Sequence, residues 1–264
     1  WRVPEVFSGR RLPNAEWLWL WLHDTIDQER ILPLADHFDA ILVGSHFHAS
    51  LYPKLSELTR VQRYGVDPAE FTNGRIQRDP HKFVWTSCPT RGLETLLDAW
   101  PQIRAAVLDA TLHIFYDFVI FDLMRRDATG KQAEDLQGLR DRIRSKAEQP
   151  GVLWRGRVGQ DVIAKEMLSA GVFPYCTNFP EIACISAVKS QSAGCWPVFY
   201  PRAALSETIA WGWQSTAEKF VEHCIAAATG AKPESEREAM RNWAREVYSW
   251  ERVALGWEKL MCGL

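Results

Sequence analysis

Between Trp17 and Phe199 the chain repeats one pattern: a short apolar run, a loop, then a longer stretch with apolar residues on one helical face. Such alternation buries both kinds of element only as parallel strands covered by helices, so the expected fold class is α/β. Strands are predicted at 17–22, 40–43, 60–63, 82–86, 111–116, 152–155, 172–174 and 196–199. Helices are predicted at 29–37, 46–58, 92–107, 131–148, 160–169 and 182–193. From Thr216 onward the pattern is helical only, at 216–229, 234–248 and 250–261. The polar stretch 67–81 contains Pro68, Asn73-Gly74 and Pro80 and has no periodic apolar face, which marks a linker. The expected division is a partial N-terminal domain over 1–66, the linker, a second domain over 82–230 and C-terminal helices over 231–264. A complete nucleotide-binding half usually has about five or six strands, so three before the linker make the first domain a reduced one.

Charge and cysteine usage remove several functions. The formal net charge is -2, with no basic excess to hold nucleic acid. The densest apolar run, Trp17-Leu-Trp-Leu-Trp-Leu22, falls far short of the roughly 20 residues of a membrane helix. Peripheral membrane contact stays open. Six cysteines form no C-x-x-C pair, and all but Cys262 sit in or beside apolar runs, as reduced core thiols do. That favours a cytoplasmic protein. Thirteen tryptophans invite a sugar-stacking role, but Trp85, Trp154 and Trp196 fall within predicted strands, where a large ring belongs in the core. The chain begins at Trp1 in place of Met, and the expectation is a trimmed or truncated product.

Chemistry is most concentrated from Phe179 to Val198, which reads as loop, helix and strand with one acid, Glu181, at the helix entrance. First-turn amides lack intrahelical acceptors and carry the positive end of the helix dipole, so Ile182, Ala183 and Cys184 are candidates to hold a phosphate. Glu181 would then reach whatever the phosphate carries, and a sugar nucleotide fits that description. The strand at 17–22 ends in His23-Asp24, at the strand end where open α/β sheets place their ligands. His23 either faces that crevice or caps a neighbouring carbonyl. Arg91, in Thr86-Ser-Cys-Pro-Thr-Arg-Gly-Leu93, stands at a helix start where its guanidinium can clamp a diphosphate. The other reading is a surface arginine. His46 and His48 lie on different faces of a helical turn with no carboxylate to complete a metal site, so no metal is expected. There is no G-x-G-x-x-G, no Walker A and no D-x-D.

The segment from Glu181 to Val198 resembles the E-x7-E motif of the retaining GT-B glycosyltransferases of family 4 and its relatives, with Lys189 where that family has its second glutamate. Thr86 to Leu93 resembles the family's K-G segment, with Arg91 for Lys. Gly151-Val-Leu-Trp-Arg-Gly-Arg-Val158 is similar to its base-binding strand and loop, and Arg63-Tyr-Gly-Val-Asp67 with Phe71 to its hinge, with Tyr64 at the Asn position. The resemblance spans about residues 16 to 230. It implies Rossmann-like parallel sheets flanked by helices, with the N-terminal half reduced. It also implies transfer of a hexose from a nucleoside diphosphate sugar to an acceptor hydroxyl with retention, without a cofactor or required metal. In that scheme His23, Glu181 and Arg91 are catalytic; Thr86, Ser87, Arg157, Val158, Ile182, Ala183, Cys184 and Lys189 bind the donor. Lys189 would lie by the ribose or diphosphate; its alternative is an exposed helix face. The acceptor is open: a sugar, a lipid-linked glycan or a small molecule. Two other functions stay open: a catalytically silent nucleotide-sugar-binding module, and a GT-B sugar-nucleotide epimerase or phosphorylase.

Overall fold

The computed structural model describes residues 15–72, 76–230 and 232–262. Trp1 and the Asn73-Gly74 turn lie outside them. Among the described residues two separate parallel sheets form. The first has the order β1 (Trp19–Trp21), β2 (Ala40–Val43), β3 (Thr59–Val61). The second has six strands: β4 (Asp79–Trp85), β5 (Thr111–Ile114), β6 (Val152–Trp154), β7 (Ala170–Tyr175), β8 (Trp196–Phe199) and β9 (Trp213–Gln214). They lie in the order β6-β5-β4-β7-β8-β9, with β4 and β7 at the centre. All four residues of β2 and all six of β7 are buried, as expected of strands covered on both faces.

Helices cover the second sheet. In α2 (Leu93–Ala106), Leu93, Leu96, Leu97, Trp100 and Ile103 recur at helical spacing and are fully buried. Each such side chain contributes about 1.5–3 kcal/mol on leaving water. The same core takes Trp85 and Trp196, and Trp154 stacks on Phe118 with ring centroids 5.0 Å apart. The first sheet has its own core around Leu20, Leu22, Ile41, Val43 and Tyr52.

All eight predicted strands are present, with ends displaced by a few residues; the last part of the predicted linker, 79–81, is already β4. Among the described residues β9, α3 (Val119–Asp127), α7 (Leu205–Thr208) and the 3-10 turns Pro68–Phe71 and Pro89–Arg91 were not predicted. Two predicted helices are broken. The segment 29–37 is a pair of 3-10 turns, the second starting at Leu32-Pro33, where the proline stands in the first turn. The segment 46–58 is α1 (His46–Ser50) and then a 3-10 turn entered through Pro53. Around the second sheet, α4 (Lys131–Lys146) and α5 (Gln160–Ser169) match their predicted positions closely. The predicted helix 182–193 shortens to α6 (Ile185–Ser192), and the predicted 216–229 to α8 (Phe220–Thr229).

The chain crosses between the sheets twice. On the way out, Asp67 caps a 3-10 turn, Pro68–Phe71, and Phe71 enters the second core. On the way back, α9 (Glu234–Tyr248) leads to α10 (Trp250–Cys262). Val66 N–H donates to Tyr248 O (2.8 Å) and Trp250 N–H to Val66 O (3.1 Å), so the two crossings are tied together. α10 then packs on the first sheet, where the Trp257 ring meets Trp21 and Trp19 at centroid distances of 5.1 and 6.1 Å. Among the described residues no helix is long and apolar enough to cross a membrane.

Candidate functional site

The carboxyl ends of β1, β4 and β7 converge on the entrance of α6. Glu181 sits in the loop before that helix, nearly buried, with both carboxylate oxygens engaged. Tyr175 Oη donates to Oε1 at 2.5 Å, and Arg91 Nη1 lies 2.9 Å from Oε2. Burial holds the Tyr175 phenol well above its ordinary pKa, so it stays protonated and donates. Arg91 ends a 3-10 turn, Pro89–Arg91, and the next residue, Gly92, has φ +103°. A Cβ on Gly92 would lie 2.7 Å from Cys176 O, so only glycine lets this turn approach the end of β7. The Arg91 guanidinium also covers the Phe179 ring, 3.4 Å from its centroid.

From the first sheet, His23 faces the same place. Its Nδ1 lies 2.8 Å from Tyr64 Oη, and burial lowers the imidazole pKa, favouring the neutral ring. Burial pushes the Tyr64 phenol up to about 12. The direction of this bond follows the imidazole tautomer: where the phenol donates to Nδ1, Nε2 carries the ring proton.

Among the described residues two sizeable cavities flank the α6 entrance, and Ile185 lines both. The smaller, about 260 Å³, brings together His23, Asp24, Tyr64, Arg91, Glu181, Ile182 and Ala183. The larger, about 580 Å³, brings together Thr86, Arg157, Val158, Ser186 and Lys189, with Glu70, Tyr116, Asp117, Gln160 and Trp250. Nine of the eleven predicted site residues therefore line one or the other. Ser87 and Cys184 line neither. Ser87 is buried beneath Trp85, whose indole donates to its carbonyl at 2.7 Å. Cys184 is a buried thiol, pushed up to about 12 by burial.

The amides predicted to open the helix need correction. The helix starts at Ile185, with Cys184 as its N-cap residue, so Ile182 and Ala183 belong to the loop. The cause is tertiary: Ala204 N–H donates to Glu181 O at 3.0 Å, which holds that carbonyl out of the helical ladder. The first-turn amides without a backbone acceptor among the described residues are those of Ile185 and Ser186, at the junction of the two cavities.

Tyr175 and Glu70 were not singled out by the sequence. Tyr175 follows three buried residues and looks like more core, while Glu70 lies in an aperiodic polar linker. Lys189 does not point freely to solvent: its ammonium meets Gln160 Oε1 at 2.7 Å and Glu70 Oε2 at 3.4 Å. Among the described residues no three His, Cys, Asp or Glu side chains gather where they could hold a metal ion. The buried His48 instead accepts from Gly44 N–H and meets Asp24 O.

Two parallel, helix-flanked sheets with a cleft at their facing strand ends make this a fold of the GT-B type. No protein-family model and no curated protein matches the sequence. Solved structures do match. Anabaena HepE, solved in complex with UDP and glucose, superposes with a TM-score of 0.72 at 14% identity, over 94% of this chain and 72% of that one. A GtfA/B complex gives 0.67 at 16% identity, over 94% and 52%. Sucrose-phosphate synthase from Thermosynechococcus elongatus gives 0.67 at 15% identity, over 90% and 62%. The chain thus spans about half the length of the GtfA/B chain.

Proposed function

We propose that this chain is a retaining glycosyltransferase that moves a hexose from a nucleoside diphosphate sugar to an acceptor hydroxyl. The observation that carries it is the pair of cavities meeting at the Ile185 and Ser186 amides, one lined by His23, Arg91 and Glu181, the other large enough for a nucleoside. The diphosphate lies at the junction, where helix amides and the nearby Arg91 guanidinium favour negative charge. The sugar enters the smaller cavity, with Glu181 accepting from its hydroxyls and His23 Nε2–H donating from the opposite wall. The nucleoside fills the larger one, its base near Arg157 and Val158. HepE, of the same fold, was solved with UDP and glucose, which supports a donor of this chemical class.

Transfer breaks the bond from the anomeric carbon to the β-phosphate oxygen. The acceptor oxygen bonds to that carbon on the same face, and the acceptor proton passes to the departing phosphate. Glu181 already bonds Tyr175 and Arg91, so its role is binding and orientation, and no second carboxylate is assigned to a double displacement. The growing phosphate charge is met by Arg91 and the amides, so activity persists in EDTA. The buried, unpaired thiols Cys176, Cys184, Cys195 and Cys224 support a reducing compartment, the cytoplasm.

The test is incubation with UDP-, GDP- and ADP-hexoses in the presence of EDTA, following nucleotide release and the anomeric configuration of the product. Release with a retained configuration is expected. Activity lost in EDTA and restored by Mg²⁺ or Mn²⁺ would refute the metal-free mechanism. One observation favours a second reading, a donor-binding module without turnover: the first sheet has only three strands among the described residues, which leaves little wall for an acceptor. Tight nucleotide binding with no release or transfer would select it.

A further inference from the structure

The larger cavity contains a side-chain cluster around Lys189 that includes Glu70, a residue to which the donor scheme above assigns no task. Lys189 lies four residues beyond Ile185 on α6, about 6 Å along the axis. Its ammonium is held between Gln160 Oε1 on α5 and Glu70 Oε2 on the linker turn, at 2.7 and 3.4 Å. Glu70 Oε1 has no protein partner among the described residues, and Glu70 itself lines the cavity. With a diphosphate on the Ile185 and Ser186 amides, the ribose of the same ligand falls about one helical turn further on, beside this cluster. A ribose diol brings two O–H donors that need acceptors when shielded from water. Lys189 offers donors only; of the carboxylates lining this cavity, Asp67 and Asp117 each accept from a backbone amide, and Glu70 is the one that Lys189 holds.

We propose that Glu70 is the ribose-recognition residue of the donor site, accepting from the diol, and that Lys189 is the positioning residue that holds its carboxylate there. The proposal rests on the nucleoside diphosphate sugar assigned above. The contribution assigned to Lys189 is to ribose selection, through the carboxylate it holds. The competing role for the pair is a plain staple between the linker and α6.

Calorimetry separates the two. UDP, GDP and ADP are titrated into the wild-type protein, and the tightest binder is compared with its 2′-deoxy and 3′-deoxy analogues. Hydrogen bonds to a charged group predict that the ribose form binds about tenfold or more tightly than a deoxy form. In Glu70→Ala the preference should vanish, the ribose and deoxy forms binding alike. Lys189→Ala should reduce the preference partway, the ratio of ribose to deoxy affinity being the readout. Glu70→Gln, which keeps the shape and one acceptor, should retain part of the preference and serves if the alanine variant does not fold. Undiminished ribose preference in a folded Glu70 variant overturns the proposal while leaving the donor site standing. If no nucleoside diphosphate binds the wild type, both fall.

Discussion

On each side of the α6 entrance a carboxylate is paired with a cation, and the two pairs are built differently. Glu181 keeps 9% of its side chain exposed, meets Arg91 at 2.9 Å and is bonded again by Tyr175. Glu70 keeps 32%, meets Lys189 at 3.4 Å and has one oxygen without a protein partner. A nearly buried carboxylate with both oxygens engaged is fixed before a ligand arrives, and removing its cation leaves a charge that water cannot reach. A half-exposed one is solvated, contributes little to stability and is free to take a new partner. The sugar side is thus preorganised, while the nucleoside side is adjustable.

The strongest way to break this contrast is on the fixed side. Arg91→Ala or Glu181→Ala should cost about 2 to 4 kcal/mol of transition-state stabilisation, read as kcat/KM for the donor. Near-wild-type rates in either would show that the pair is structural only. Tyr175→Phe should cost less, about 1.5 kcal/mol, by releasing one oxygen of Glu181 while keeping the ring packed on Phe173 and Trp85. A loss as large as that of Arg91→Ala would mean that the phenol itself meets the substrate. On the adjustable side, Lys189→Ala should lower stability by no more than about 0.5 kcal/mol, measured by urea unfolding. A larger loss would make this pair as fixed as the other.

The smallest contrast is in pH, because it comes from histidines and not from the carboxylates. His23, His48 and His113 all have pKa values lowered from 6.5, chiefly by burial. Between those lowered values and 6.5 the unfolded chain binds more protons than the folded one, so stability is full above about pH 6.5 and declines as pH falls below it. Urea midpoints at pH 7.5 and 5.5 check this. His48→Gln should reduce the decline, since His48 is fully buried and its pKa is lowered by that burial.

Much of the chain was legible because its signals are local. Apolar runs such as Ala40–Val43 and Trp196–Phe199 place strands where they occur. His23 stood out because a titratable residue just beyond an apolar run lies at the ligand end of a parallel sheet, and Glu181 and Arg91 because each stands at a helix entrance. The start of α6 was misplaced because its cause lies in Ala204, whose amide takes the Glu181 carbonyl. Helix propensity within 179–198 carries no trace of that bond.

What the sequence determined by itself was the class of fold, the order of the strands along the chain and the loops that carry charge, all set by short-range periodicity and by where polar residues interrupt it. Only the tertiary structure decided which of those charges meet. The His23–Tyr64 contact spans 41 positions and the Lys189–Glu70 contact 119. Such pairings arise when two sheets, each folded around its own core, are tied by the crossings at Val66 and Trp250. The strand order β6-β5-β4-β7-β8-β9 likewise depends on how the crossover helices pack, a long-range property that no window of residues contains.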